Sequence, residues 1–349
     1  MTRGILQYNG NTVSVYVDDS GEGITASSNR PLSTMKFREF AGKYESEVVP
    51  AMKPASQASI KSVLGILNQT FGARKLSDIG TEEIQKFVTS SPYSPKTLRN
   101  QAGVMRMVWN KARAWKYVRH DPFEFLSMPR QPLTEARSLS IDEVRAIIRK
   151  TDEPFKTMLW ILAETGIRGG ELCGLYKSDV DARKIRIARS AFRKQIQTPK
   201  TVNAVREIAI SGQLARHLEE YVATSNAARY IGNSGRVAVN ESNDDQNLRN
   251  PLLFSMPDSR AWDNGEVVRR LKPVLGTGVG LHAFRHANKS LMQSLGVPEY
   301  LQDERMGHSK KGMGGRYTHS LPEDHRRWAE EIGRAICTEN VLARGMAAD

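Results

Sequence analysis

The sequence predicts a mainly α-helical chain with a small antiparallel β-sheet, divided into two domains. Three observations lead there. Apolar residues recur at helical spacing from residue 31 to about residue 130. A polar, proline-bearing stretch at 127–138 interrupts that pattern. In the second half, Lys184-Ile185-Arg186-Ile187 and Arg206-Glu207-Ile208-Ala209-Ile210 alternate as strands do. A chain of 349 residues accommodates two such domains and a small appendage.

Residues 1–30 read as a separate β segment. Asn9-Gly10 is a hairpin turn signal, Thr12-Val13-Ser14-Val15-Tyr16-Val17 alternates, and Asp18-Asp19-Ser20-Gly21 closes it. A first helix follows from the spacing of Phe37, Phe40, Ala41, Tyr44 and Val48. Ile60, Val63, Leu64, Leu67 and Phe71 give a second. Thr81-Glu82-Glu83 opens a third, with Thr81 as cap and acids in the first turn. Ser94-Pro95 opens a fourth, whose apolar face is Leu98, Ala102, Met105, Val108, Trp109 and Ala112. Lys96, Arg99, Arg106, Lys111, Arg113 and Lys116 fall off that face. After the linker, Ser140 and Glu143 form a capping box.

In the second domain an apolar helix (Met158, Leu159, Ile161, Leu162) runs into Thr165-Gly166-Ile167-Arg168-Gly169-Gly170-Glu171-Leu172. The two alternating segments come next, with the basic residues Arg189, Arg193 and Lys194 and the turn-like Thr198-Pro199-Lys200-Thr201 between them. Residues 224–251 read as a long polar loop without catalytic residues. Gly276, Gly278 and Gly280 lack the Lys-Ser/Thr of a phosphate-binding loop and mark the approach to a helix.

That helix carries the most informative stretch: Leu281-His282-Ala283-Phe284-Arg285-His286, then Met306-Gly307-His308-Ser309, then Arg316-Tyr317-Thr318-His319. Brought together, these groups suit a phosphate ester. Guanidinium forks match phosphate oxygens, imidazole donates or moves a proton, and a phenol oxygen can attack. His282 and Arg285 are three apart and share a helix face. His282 and His286 also have zinc-ligand spacing, but Ala283 stands where a metalloprotease helix needs Glu. No metal or other cofactor is expected.

Taken in order, these boxes resemble the tyrosine recombinases, also called the phage-integrase family, over about residues 31–336. The resemblance implies a helical core-binding domain at 31–126 that clamps DNA, the linker at 127–138, a catalytic α+β domain at 139–336 and a tail at 337–349. It implies that Arg168 and Arg285 clamp the scissile phosphate, supported by Glu171, and that His308 donates to a non-bridging oxygen. Lys200, which matches the family's turn lysine better than Lys194, would protonate the leaving oxygen. His282 would transfer a proton or hydrogen-bond, His286 would be structural, and Tyr317 would be the nucleophile. Lys96, Arg99, Arg106 and Lys111 would contact DNA phosphates. His120-Asp121-Pro122-Phe123 resembles the close of the core-binding domain, with Asp for the usual Asn. The partners implied are double-stranded DNA with specific sites, three further protomers in a homotetramer, and accessory directionality or DNA-bending proteins. Residues 1–30 are either a structural strand pair or an arm-type DNA-binding module. Ser320 and Glu323 form a further capping box, and the segment they open acts either on its own domain or on a neighbour.

Bulk properties agree. A net charge of +13 points to a polyanionic partner, most simply nucleic acid. Cys173 and Cys337 are far apart with no CxxC, which disfavours a disulfide framework and a cysteine zinc site. With no membrane-length apolar run and no signal-peptide pattern, a nucleoid-associated place in the cytoplasm is expected. The resulting expectation is a site-specific recombinase for a mobile element. A chromosome- or plasmid-dimer resolvase, a type IB topoisomerase and a non-catalytic DNA-binding relative are the rivals.

Overall fold

The structure, a computed structural model, describes residues 2–8, 11–17, 34–132, 138–198, 205–228, 251–307 and 321–337. The chain separates into two compact units, Met1–Thr134 and Glu135–Asp349.

The first unit begins with an antiparallel hairpin, β1 (Thr2–Tyr8) and β2 (Asn11–Val17), in register from Thr2↔Val17 to Tyr8↔Asn11. Four helices follow: α1 (Phe37–Glu47), α2 (Pro54–Phe71), α3 (Thr81–Ser90) and α4 (Pro95–Ala114). Their shared core is aromatic and aliphatic, with Phe37, Phe40, Leu64, Leu67, Phe71 and Trp109 all buried. Burying each such side chain contributes about 1.5–3 kcal/mol. Phe40 meets Trp115 and Tyr117 edge-on, at 5.7 and 5.2 Å between centroids. Ser94 caps α4 by accepting from the Thr97 amide at 3.3 Å.

Three expectations change here. Gly80, not Thr81, is the N-cap of α3, because the Glu83 carboxylate reaches back to the Gly80 amide at 2.9 Å. On α4, Gln101 and Val104 join the buried face, while Ala102 is only half-buried. The stretch at 127–138 is not free from its start. Gln85 accepts from the Ser127 amide (2.9 Å) and donates to its carbonyl (3.1 Å), and Arg99 donates to the Pro129 carbonyl (2.8 Å).

The second unit is built around α6 (Phe155–Thr165), every residue of which from Thr157 to Thr165 is buried. Ahead of it α5 (Ile141–Arg149) carries the capping box, with the Glu143 amide donating to Ser140 Oγ and Glu143 accepting from the Ser140 amide. After it come the short α7 (Gly169–Cys173) and a three-stranded antiparallel sheet. That sheet is β3 (Val180–Asp181), β4 (Lys184–Ile187) and β7 (Arg206–Ala209), with Ile185 opposite Ile208. Between β4 and β7 lies a second hairpin, β5 (Ser190–Phe192) and β6 (Gln195–Gln197), turned by Arg193 and Lys194 at φ 47° and 66°. The remaining described helices are α8 (Gly212–Ala228), α9 (Asn264–Leu275), α10 (Leu281–Ser294), α11 (Glu299–Met306) and α12 (Pro322–Ile336).

Here too some expectations are corrected. The polar loop read from 224 begins later, since α8 continues through Ala228. The capping box at Ser320 is replaced by Leu321 at the N-cap with Pro322 at N1, Ser320 itself lying outside the described residues. Cys337, read as the start of a tail, is buried in this unit's core.

Candidate active site

The site begins where α6 ends. Gly166 takes a left-handed conformation (φ 65°), and a Cβ there would lie 2.6 Å from Asn288 Oδ1, so both backbone and space require glycine. The turn buries Ile167 and directs Arg168 outward, its side chain 45% exposed. Arg168 is also the N-cap of α7, and Glu171 at N3 accepts from both its amide (3.0 Å) and its Nη1 (2.8 Å). Glu171 is buried and accepts two further bonds from Arg206, Nη2 at 2.9 Å and Nη1 at 3.3 Å. Burial pushes this carboxyl up, but the Arg206 hydrogen bonds and charge, then Arg168, outweigh it and hold it below its ordinary value.

Arg285, on α10, is 5% exposed. Its Nη1 donates to the Gly166 carbonyl (2.6 Å) and its Nη2 to the Met306 carbonyl (2.8 Å). One side chain thus ties the Arg168 turn to the end of α11. Burial, then the nearby Arg168 charge, lowers Arg285 to about 10, so it remains a cation at neutral pH. One turn earlier His282 is exposed and lies edge-on to His286, 4.6 Å between centroids. Burial, then the charges of His286, Arg285 and Arg168, lower His282 and favour a neutral imidazole at pH 7. His286, read as structural, is also exposed.

The arrangement sets an exposed guanidinium, Arg168, against the buried one of Arg285 and beside the His282 imidazole, suited to an anionic ester. A family model described as "Phage integrase family" matches residues 137–324. The chain belongs to this family. Its members are tyrosine recombinases, site-specific DNA recombinases. The prophage ps2 probable integrase of Lactococcus lactis is 23% identical over 310 residues, covering 82% of this chain and 79% of the relative. A XerC-like tyrosine recombinase of Caldanaerobacter subterraneus is 24% identical, covering 76% and 74%. Among solved structures, the Tn1549 transposon integrase bound to transposon right end DNA has a TM-score of 0.62 at 18% identity, covering 85% of this chain and 99% of that one. A lambda integrase tetramer bound to a Holliday junction has a TM-score of 0.58 at 12% identity, covering 88% and 96%. At those identities the structural likeness speaks for the fold.

Of the residues that sequence reasoning assigned to this integrase-family site, Arg168, Glu171 and Arg285 stand in one connected network with His282 beside it. Lys200, His308 and Tyr317 lie outside the described residues. Among the described residues, no group of three or more His, Cys, Asp or Glu is placed to hold a metal ion. In the first unit, Lys96 is exposed and Lys111 lies 5.0 Å over the Trp115 ring. Arg99 and Arg106 have intramolecular partners, Arg106 donating to the Phe123 carbonyl at 3.0 Å. Sequence reasoning passed over Arg206, whose side chain is 8% exposed, and Arg305, which is buried. Arg206 looks like a strand residue on an alternating segment, and only its register opposite Ile187 and its reach to Glu171 separate it from a solvated one.

Proposed function

We propose that this recombinase cuts and rejoins DNA through a 3′-phosphotyrosyl intermediate on Tyr317. The observation that carries the reading is the Arg168–Glu171–Arg285 network, two guanidiniums on segments more than a hundred residues apart joined through Gly166. Tyr317 Oη attacks the scissile phosphorus as the bond to the 5′ oxygen breaks, and its phenol proton passes to the His282 imidazole or to solvent. Lys200 supplies the proton to that leaving oxygen. Arg168, Arg285 and His308 offset charge on the non-bridging oxygens, and neutral His282 hydrogen-bonds or relays a proton. A 5′-hydroxyl from the partner duplex then attacks the phosphotyrosine and releases Tyr317. One phosphate ester is exchanged for another, so the chemistry requires neither ATP nor a metal.

The assembly in this reading is a homotetramer on two duplexes carrying specific sites, exchanging one pair of strands at a time through a Holliday junction. Accessory directionality or DNA-bending proteins assist it, in the cytoplasm at the nucleoid. Among the described residues no helix is long and apolar enough to cross a membrane. Likeness to a prophage integrase and a transposon integrase favours integration and excision of a mobile element. Likeness to a XerC-like recombinase supports a second reading, dimer resolution by the same chemistry.

The test uses nicked duplexes made from DNA flanking this protein's own gene, with chelator present. A covalent protein–DNA band on denaturing gels is expected for wild type and lost in Tyr317→Phe, with DNA binding kept. Binding of genuine sites without any covalent band would instead support a non-catalytic relative.

A further inference from the structure

We infer that Arg206 is a positioning residue of this active site, balancing the charge of Glu171 so that Arg168 keeps its attraction for phosphate, and fixing the backbone that leads into His308. The inference rests on the recombinase reading above. Arg206 is the first residue of β7, and its side chain is 8% exposed. Its two terminal nitrogens face the two oxygens of Glu171, at 2.9 Å for Nη2–Oε2 and 3.3 Å for Nη1–Oε1. The same carboxylate holds Arg168 through Nη1 at 2.8 Å and through the Arg168 amide at 3.0 Å.

Charge counting gives the consequence. One buried carboxylate lies between two guanidiniums, so the trio carries a net +1. The buried cation, Arg206, offsets the carboxylate, and the exposed one, Arg168, is oriented by it without being neutralised. Remove Arg206 and Arg168 becomes the counter-ion of Glu171, drawn inward and weakened toward substrate. The second arm is Arg206 Nε, which donates to the Arg305 carbonyl at 2.9 Å, three residues before His308. Gly307 then crosses the guanidinium in a left-handed turn (φ 64°), where a Cβ would come 2.9 Å from Arg206 Nη1. A single planar fork therefore ties the Glu171 carboxylate to the backbone at Arg305. Lysine cannot reproduce it, since an ammonium lacks the second prong.

The experiment is single-turnover formation of the covalent complex on nicked duplexes at saturating DNA, with DNA affinity and thermal melting measured for each variant. Arg206→Gln should slow cleavage roughly 100-fold, the scale at which small misplacements act, while Kd stays within about threefold. Arg206→Lys should recover only part of the rate. The decisive comparison is Glu171→Gln/Arg206→Gln, which removes both charges and should be faster than Arg206→Gln alone. A double variant as slow as the product of the two single effects would overturn the charge-balance role, as would a wild-type rate in Arg206→Gln. Should Arg206→Gln fail to fold, the double variant against Glu171→Gln carries the test: a loss well short of the roughly 100-fold scale is expected, because only the Arg305 contact is then missing, and a full loss of that size would overturn the charge-balance role. Absence of covalent complex even in wild type would overturn the recombinase reading itself, and this inference with it.

Discussion

Trp109 in the first unit and Arg305 in the second are both buried, in different company. Trp109 is 0% exposed, its indole set edge-on to the rings of His120 and Phe123, and its one polar atom donates to the His120 carbonyl at 3.0 Å. Arg305 is 2% exposed and donates to the carbonyls of Ala209 (3.0 Å) and Glu164 (3.1 Å). The contrast is general. Among the described residues, every buried polar or charged one except Gln101 lies in the second unit. The first unit interlocks apolar surfaces and keeps its cations outside. The second holds cations inside, with backbone oxygens and buried carboxylates as partners, because an unpartnered charge there would be prohibitive.

The strongest attack on this contrast is Trp109→Ala, which should cost about 3–5 kcal/mol through lost burial and a cavity. Hydrogen exchange should report the loss in α1–α4 and spare α6 and α10. Equal acceleration in both units would end the distinction.

A pH test probes the second unit. Burial foremost raises Glu164 to about 7, against partial relief from the Ser211 amide and hydroxyl and from Arg305, with Glu330 adding to the rise. The folded state therefore holds this proton more tightly than the unfolded chain, where the ordinary value is 4.5. Its contribution is greatest below that value and is lost as pH rises toward about 7. Glu164→Gln should accordingly gain in melting temperature relative to wild type on going from pH 5.5 to 8. An unchanged difference would mean that Glu164 does not titrate in that window.

The smallest effects sharpen the first unit's outer face. Arg106 donates to the Phe123 carbonyl and lies 5.2 Å over the Phe123 ring, so Arg106→Ala should cost about 1 kcal/mol. Lys96 is exposed, and Lys96→Ala should change stability by less than about 0.5 kcal/mol. If Lys96 meets a DNA phosphate, the salt dependence of binding should fall by about one unit of slope. A stability loss at Lys96 equal to that at Arg106 would deny the division between braced and outward cations.

These properties were unevenly legible in the sequence. Three of the four helices in the first unit follow from apolar spacing, which burial at Phe37, Leu64, Leu67 and Trp109 matches, and α3 follows from the acids of its first turn. In α9, Val267, Leu271 and Leu275 are buried four apart, yet Pro273 inside the helix breaks the pattern that would announce it. The β5–β6 hairpin turns on Arg193 and Lys194 with positive φ, where the sequence offers no Gly, Asn or Asp as a signal. Arg168, Glu171 and Arg285 were legible because their spacing forms recognisable boxes. Arg206 was not, since its role depends on partners 35 residues upstream and 99 downstream.

The grip of Arg285 on the Met306 carbonyl has a further consequence for how this chain can vary. A main-chain oxygen is supplied by every amino acid, so the contact places no demand on which side chain residue 306 carries beyond filling its buried space. Gly307, one position on, has no such freedom. Neighbouring positions with a common task therefore tolerate substitution differently, one constrained only in its volume and the other in its backbone.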